Sequence, residues 1–135
     1  MTVTFHNPPT APAPFADRYA NLASIDLGSA TMLVLSGQVA LDESGNVVGA
    51  DMGSQTEAIF RSIGALLAAH GAGFDDVVHI RTYLTDMSLL PEYGAARRKF
   101  ITGKPPTSTT VEVSRLFLPE ALLEVEVTAV VANSG

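Results

Sequence analysis

Glu124 and Glu126 are the residues whose type and spacing most suggest chemistry. They lie two positions apart in a segment that reads as a β-strand, so both side chains project from one face of it. Burial and a neighbouring carboxylate both raise the pKa of a carboxyl group, which suits a general base acting on water. The alternative stays open that one glutamate is exposed at an edge and the other pairs with Arg81 or Arg115.

Ser36 and Gly37 follow a predicted strand and form a second candidate for binding. A glycine at the end of a strand lets a ligand approach the backbone closely. The same pair is equally typical of a bulge or turn in which the serine satisfies the local backbone.

Metal and cofactor motifs are missing from the sequence. His6, His70 and His79 are not at metal-ligand spacing from one another or from a carboxylate motif. On its strand face, His79 is more typical of a structural residue than of a catalytic one. The glycines at 28, 37, 45, 49 and 53 are scattered, and none opens a helix as a phosphate-binding loop requires. We therefore predict neither a metal nor a cofactor.

The composition argues against nucleic-acid and membrane partners. The 135 residues carry a formal net charge of −6 with only eight Lys and Arg, whereas nucleic acids and anionic membranes need a basic patch. The chain has no cysteine and begins without a signal peptide or apolar anchor, so we expect a cytoplasmic protein. Its hydrophobic content of 47%, against 16% charged residues, suggests an oligomer that covers apolar surface.

The elements that must position these residues follow the order β-β-α-β-α-β-β, with helices on one face of a mixed sheet, in a single domain over residues 1–135. Residues 1–14 form an N-terminal arm that four prolines keep extended. Strands are predicted at 22–27, 32–41, 76–86, 108–114 and 121–131. In the second strand Leu33 and Leu35 point opposite to Val34, so both faces of the sheet need cover, and subunit association would cover the face without helices.

Two amphipathic helices are predicted. The first starts at a cap on Asp51 and ends near residue 70, before Gly71. Its core-facing stripe consists of Met52, Ile59, Ile63, Leu66 and Leu67. The second runs from about 88 to 100, and its buried face consists of Leu89, Tyr93, Ala96 and Phe100.

In the strand at 76–86 the drier face is expected to hold Val78, Ile80, Thr82 and Leu84. The apolar face of the last strand is expected to hold Leu123, Val125, Val127, Ala129 and Val131.

Four short segments together resemble the Rid (YjgF) family. They are LSGQV at 35–39, residues 77–86 with the ending YLTDM at 83–87, PPTSTTVEVSRL at 105–116, and LEVE at 123–126, into which the third segment leads. Each is unspecific alone, but all four occur in the family's order within residues 14–131. The resemblance implies a chorismate-mutase-like α+β fold, a homotrimer whose sheets line a central barrel, and small-molecule clefts between adjacent subunits.

The resemblance also implies site residues. Glu124 corresponds to the glutamate that positions the hydrolytic water, Ser36 to the serine before Gly37, and Tyr19 to a tyrosine near the N-terminal arm. Thr109 and backbone donors are expected to help hold the substrate.

Two positions depart from the family's deaminases. Ser108 stands where those proteins carry an arginine that pairs with the substrate carboxylate, and Gly94 stands where they often carry a side chain in the same cleft. We therefore expect turnover of 2-imino acids to be much lower than in those deaminases. Arg18 and Arg97 are the candidates to supply the missing charge, unless both are solvated surface residues.

These features favour a hydrolytic deaminase that acts on a small enamine, imine or related unsaturated amine. The alternative is a non-catalytic trimer that binds small molecules or proteins and has kept only the fold.

Overall fold

A six-stranded mixed sheet carries both helices on one face. This computed structural model describes residues 1–134, apart from the side chain of residue 15. Its strands are β1 (Val3–His6), β2 (Leu22–Asp26), β3 (Ala30–Leu35), β4 (Val77–Leu84), β5 (Thr107–Glu112) and β6 (Leu123–Ala132). They lie in the order β1-β2-β3-β6-β4-β5, and only β4 and β5 pair in parallel. The helices are α1 (Met52–Ala68) and α2 (Leu90–Arg97). Within residues 1–134, no helix is long and apolar enough to cross a membrane.

The predicted α+β class and element order are confirmed, with one addition. β1 lies in the N-terminal arm and pairs antiparallel with β2, so that Val3 faces Ile25 and His6 faces Leu22. This strand was not predicted from the sequence.

α1 forms because its start is capped and its apolar stripe is buried. The Asp51 carboxylate accepts a hydrogen bond from the Ser54 N–H at 2.8 Å, and the Asp51 N–H donates to the Ser54 hydroxyl at 3.3 Å, which closes a capping box. The predicted stripe is confirmed, since all five of its residues are fully buried. Gly71 follows the helix with a φ of +71°, a conformation that glycine adopts without strain.

α2 is shorter than the pattern indicates. Met87–Leu89 forms a separate 3-10 turn, and Pro91 lies in the first turn of α2, where its missing N–H leaves no hydrogen bond unmade. Tyr93 and Ala96 are buried, and Leu89 and Phe100 pack against the core as predicted.

The second predicted strand was too long. It ends at Leu35 instead of residue 41. The Ser36 N–H still donates to the Asn21 carbonyl in the register of the β2–β3 ladder. Beyond it the chain pairs through isolated bridges, one of them between Gln38 and Val125 of β6.

The alternation predicted for β4 was wrong at its first residues. Val78 is 45% exposed, while Val77 is buried. A β-bulge between Val77 and His79 shifts the alternation by one residue.

The face of the sheet away from the helices, the open face, is uncovered in the single chain. Leu33 and Leu35 of β3 lie under the helices and Val34 lies on the open face, as expected. The apolar residues of this face gather at its β1–β3 end, where Val3, Phe5 and Val34 are 46%, 69% and 39% exposed. Its other end, on β6, β4 and β5, carries Glu124, Glu126, Arg81 and Tyr83, together with Val111, which is 39% exposed.

Candidate functional site

Glu124 lies on the open face near the start of β6, with its carboxyl group packed against the backbone of Gly37. A Cβ at position 37 would overlap Glu124 Oε1, so the contact requires glycine. Glu124 is half-buried, and its carboxylate has no hydrogen-bond partner among residues 1–134. Burial, and to a lesser extent the Glu126 carboxylate, raise the pKa of Glu124. A free carboxylate of raised pKa can take a proton from water.

Glu126, in contrast, is engaged by neighbours on β4. The Tyr83 hydroxyl donates to Glu126 Oε1 at 2.7 Å, and Arg81 Nη1 lies 3.6 Å from the same oxygen. The hydrogen bond to Glu126 raises the pKa of Tyr83. Arg81 is therefore the partner that the sequence left undecided, and Glu124 is the glutamate of the two that has no hydrogen bond or ion pair within residues 1–134.

Ser36 ties the loop before β2 to the segment that carries Gly37. Its hydroxyl donates to the Ala20 carbonyl at 2.6 Å. Gln38 forms two backbone hydrogen bonds with Val125, at 2.8 and 3.0 Å, so Gly37 lies between two anchored residues. Because its hydroxyl proton is used, Ser36 offers a ligand only its oxygen lone pairs.

Tyr19 directly precedes the carbonyl group that Ser36 holds, and it is 41% exposed. The structure thus brings Tyr19 to the loop beside Ser36 and Gly37. Arg18 is exposed on the same loop, and none of the ion pairs within residues 1–134 involves it.

Arg97 is held by a hydrogen-bond network that joins α2, β4 and β5. Its Nη1 donates to the Ser108 hydroxyl at 3.1 Å and to the Tyr93 hydroxyl at 3.2 Å. Its guanidinium carbon lies 5.9 Å from the centre of the Tyr93 ring. The Tyr93 hydroxyl shares a 2.6 Å hydrogen bond with the buried Thr82 hydroxyl. Sequence reasoning assigned Tyr93 and Thr82 to the core alone and missed these polar roles.

A groove of about 530 Å³ opens beside Arg97, and we name it the α2–β5 groove. Its lining includes Leu90, Gly94, Arg97, Ile101, Pro105 and Thr110. Ser108 lies at its side through the hydrogen bond to Arg97.

The histidines take part in other contacts. His79 Nδ1 lies 2.8 Å from the Thr107 hydroxyl, and the rings of His6 and His70 lie 4.4 Å apart. In the part of the chain that the structure describes, no group of three or more His, Cys, Asp or Glu residues could hold a metal ion.

A family model described as endoribonuclease L-PSP matches residues 10–131. The chain belongs to the endoribonuclease L-PSP family. This is the Rid (YjgF) family that the four sequence segments resemble, so the resemblance is confirmed.

Known members of the L-PSP family match most of this chain. A RutC family protein of Saccharolobus solfataricus is 38% identical over 104 residues, covering 76% of this chain and 80% of that protein. A 2-iminobutanoate/2-iminopropanoate deaminase of Salmonella typhimurium is 27% identical over 132 residues, 96% of each chain. A crystal structure of a conserved Rid family protein from Yersinia pestis is 26% identical, with a TM-score of 0.85 over 96% of this chain and 100% of that one.

The candidate residues of this L-PSP family member fall on opposite faces of the sheet. Ser108 of β5 pairs with Ile80 of β4, and Thr109 pairs with Arg81, one residue further along β4. Glu124 of β6 pairs with Tyr83, three residues beyond Ile80. Residues an odd number apart on a strand face opposite ways. Ser108 and Glu124 are also separated by two strand spacings across the sheet and by three residues along the strands. Their Cα atoms therefore lie roughly 14 Å apart. A small ligand therefore cannot contact both residues of one chain.

Proposed function

We propose that this chain is a hydrolytic deaminase that acts on a small imine or enamine. The observation that carries the proposal is Glu124, a half-buried carboxyl group of raised pKa that packs on Gly37 and has no hydrogen-bond partner among the described residues. The match to an imine deaminase of Salmonella typhimurium along nearly the whole chain supports the same reaction class.

In the proposed reaction, water adds to the carbon of a C=N bond while Glu124 accepts one of the water protons. That proton passes to the nitrogen and gives a carbinolamine. As the C–N bond breaks, the hydroxyl proton of the carbinolamine also passes to the nitrogen, so that ammonia leaves and the carbon becomes a carbonyl. An enamine enters the same reaction once its carbon gains a proton and its nitrogen loses one, which gives the imine form. The reaction needs water and no redox partner.

The proposed site is a cleft between two subunits of a homotrimer. One side holds Glu124 with Gly37, Ser36 and Tyr19, and the other side is the α2–β5 groove of the neighbouring subunit. The support for this arrangement is that Ser108 and Glu124 face opposite ways in one chain, so that only two chains can present both to one small ligand. Arg18, exposed beside Tyr19, remains a candidate to reach into this cleft.

Glu124→Gln tests the proposed reaction. The change keeps the shape of the side chain and removes its basicity, so ammonia release from a panel of freshly generated imines should slow by about 10²- to 10⁴-fold. Glu43→Gln, at an exposed turn residue, is the matched control and should leave the rate unchanged.

Equal rates for Glu124→Gln and the wild type would remove Glu124 from the reaction. If no imine or enamine releases ammonia faster than in buffer, the non-catalytic binding trimer becomes the better description.

A further inference from the structure

Tyr83 has one hydroxyl proton and two carboxylates within reach. In the ladder between β4 and β6 it lies directly opposite Glu124, and Glu126 is its diagonal neighbour on the same face. Directly opposite side chains have Cβ atoms about 5 Å apart and diagonal ones about 7 to 8 Å, and an aromatic side chain spans either distance. The hydroxyl donates to Glu126 Oε1, at 2.7 Å. Since a hydroxyl has a single proton to donate, Glu124 receives none from Tyr83.

Arg81 adds a second contact to Glu126. It lies directly opposite Glu126 in the same ladder, and its Nη1 is 3.6 Å from the oxygen that Tyr83 contacts. The two side chains of this ion pair are 48% and 34% exposed. Because so exposed an ion pair contributes little stability, the shorter hydrogen bond from Tyr83 is the stronger of the two contacts. Together they hold the Glu126 carboxylate toward β4.

The other elements around Glu124 do not account for its raised pKa. The segment at 36–38, on which it packs, has no titratable side chain, and the residues of β5 on the open face are uncharged. The loop before β2 carries two titratable groups, Tyr19 and the exposed Arg18. The pKa of Glu124 is raised by burial first and by its neighbour on β6 second. The network on β4 and β6 is therefore the part of the surroundings that acts on Glu124.

We infer that Glu126 is a positioning residue for Glu124: by taking the Tyr83 proton, it leaves Glu124 without a hydrogen bond and free to act on water. A hydrogen bond to the charged form of a carboxyl group stabilises that form and lowers the pKa. It also occupies a lone pair that would otherwise accept a proton from water. Without Glu126, the Tyr83 hydroxyl turns to the carboxylate directly opposite it. The part of Glu126 in catalysis rests on the proposed function, whereas its hold on Tyr83 does not.

Carbon-13 NMR of the glutamate carboxyl groups tests the inference without any turnover, with the Glu124 signal assigned by its loss in Glu124→Gln. In Glu126→Ala the midpoint of the Glu124 titration should move to lower pH by about 1 to 2 units, because Glu124 gains a hydrogen bond and loses a neighbouring charge. Glu126→Gln keeps an acceptor for Tyr83 and removes only the charge, so its midpoint should move less. Adding Tyr83→Phe to Glu126→Ala should bring the midpoint back to that of Glu126→Gln. Glu43→Ala, at an exposed turn, is the control and should leave the midpoint unchanged.

The rate of ammonia release from imines should follow the same order. Glu126→Ala should slow it by about 3- to 30-fold, because a hydrogen-bonded carboxylate is a weaker base. Adding Tyr83→Phe should recover part of this loss, although it removes a further side chain. A purely structural role of Glu126 predicts that the double variant is slower than the single one.

A midpoint that stays or rises in folded Glu126→Ala, or a double variant that titrates like Glu126→Ala, overturns the inference. The two proposals fail separately. If the midpoints follow the expected order while no imine is turned over by the wild type, the network stands and the deaminase fails. If imines are turned over through Glu124 and Glu126→Ala changes neither midpoint nor rate, the deaminase stands and Glu126 has no part in it.

Discussion

Glu124 lies where its charged form is disfavoured, because burial and Glu126 both raise its pKa. A group whose folded pKa lies above its unfolded value binds more protons in the folded state. Its contribution to stability is therefore present at low pH and is lost as the pH rises through the raised pKa. Such a loss of stability at neutral pH is typical of catalytic carboxyl groups.

We expect Glu124→Gln to be more stable than the wild type near pH 7 to 8, although it should be much slower in the proposed reaction. The amide keeps the packing against Gly37 and removes the charge that burial disfavours. Thermal unfolding followed by circular dichroism should show a higher melting temperature for the variant than for the wild type at neutral pH. The difference between the two melting temperatures should narrow as the pH falls. A variant that melts lower than the wild type at every pH would mean that the carboxylate has a stabilising partner.

At this scale the sequence identified the charged groups but not their partners. Strand alternation alone placed Glu124 and Glu126 on one face, and that was correct. Which glutamate is engaged depends on the register of β4 against β6, since Tyr83 lies opposite Glu124 and reaches the oxygen of Glu126. The bonds from Arg97 to Ser108 and Tyr93 depend likewise on how α2 crosses β5.

The N-terminal strand is held to the end of α1 through two histidines. His6 of β1 lies 2.9 Å from the Ser24 hydroxyl of β2, and its ring packs 4.4 Å from that of His70. His70 Nε2 is buried and has no hydrogen-bond partner within the part of the chain that the structure describes. Burial, and secondly His6, lower the pKa of His70.

We expect this contact to weaken in mild acid. In the unfolded chain, His70 binds a proton at a higher pH than it does in the folded protein. The contribution of neutral His70 to folding stability is therefore full above the ordinary pKa of 6.5 and falls as the pH drops below that value. Thermal unfolding should show that the melting temperature falls less between pH 8 and pH 5.5 in His70→Gln than in the wild type. Equal losses in both proteins would remove His70 from the acid sensitivity.

Elements whose apolar residues recur at a clear spacing could be predicted from the sequence, whereas features that depend on strand pairing could not. The stripe of α1 and the alternation of β6 follow from burial on one side. The bulge at Val77 and His79 depends on the β6 partner, which no pattern in β4 reveals. β1 was hidden by the proline-rich stretch that follows it, although Val3 and Phe5 alternate with polar residues.

For the whole molecule, the uncovered open face needs an explanation. Val3, Phe5 and Val34 form part of its apolar end, and each exposes more than a third of its surface in the single chain. Removing such side chains from water is worth about 25 cal/mol per Å². A stable subunit contact buries about 800 Å² on each partner, and a second copy of this chain brings a matching apolar face.

We expect the protein to sediment as a homotrimer, at three times the chain mass of 14.1 kDa, and Val34→Asp to break it into smaller species. An aspartate at Val34 would place an unpaired charge in the subunit contact, which costs several kcal/mol per ion. Ala68→Asp adds the same charge at an exposed α1 position and should leave the trimer intact. Analytical ultracentrifugation at micromolar concentration measures both. A wild-type mass near 14.1 kDa would refute the trimer and the two-subunit cleft with it, because Glu124 and the α2–β5 groove could no longer meet at one ligand.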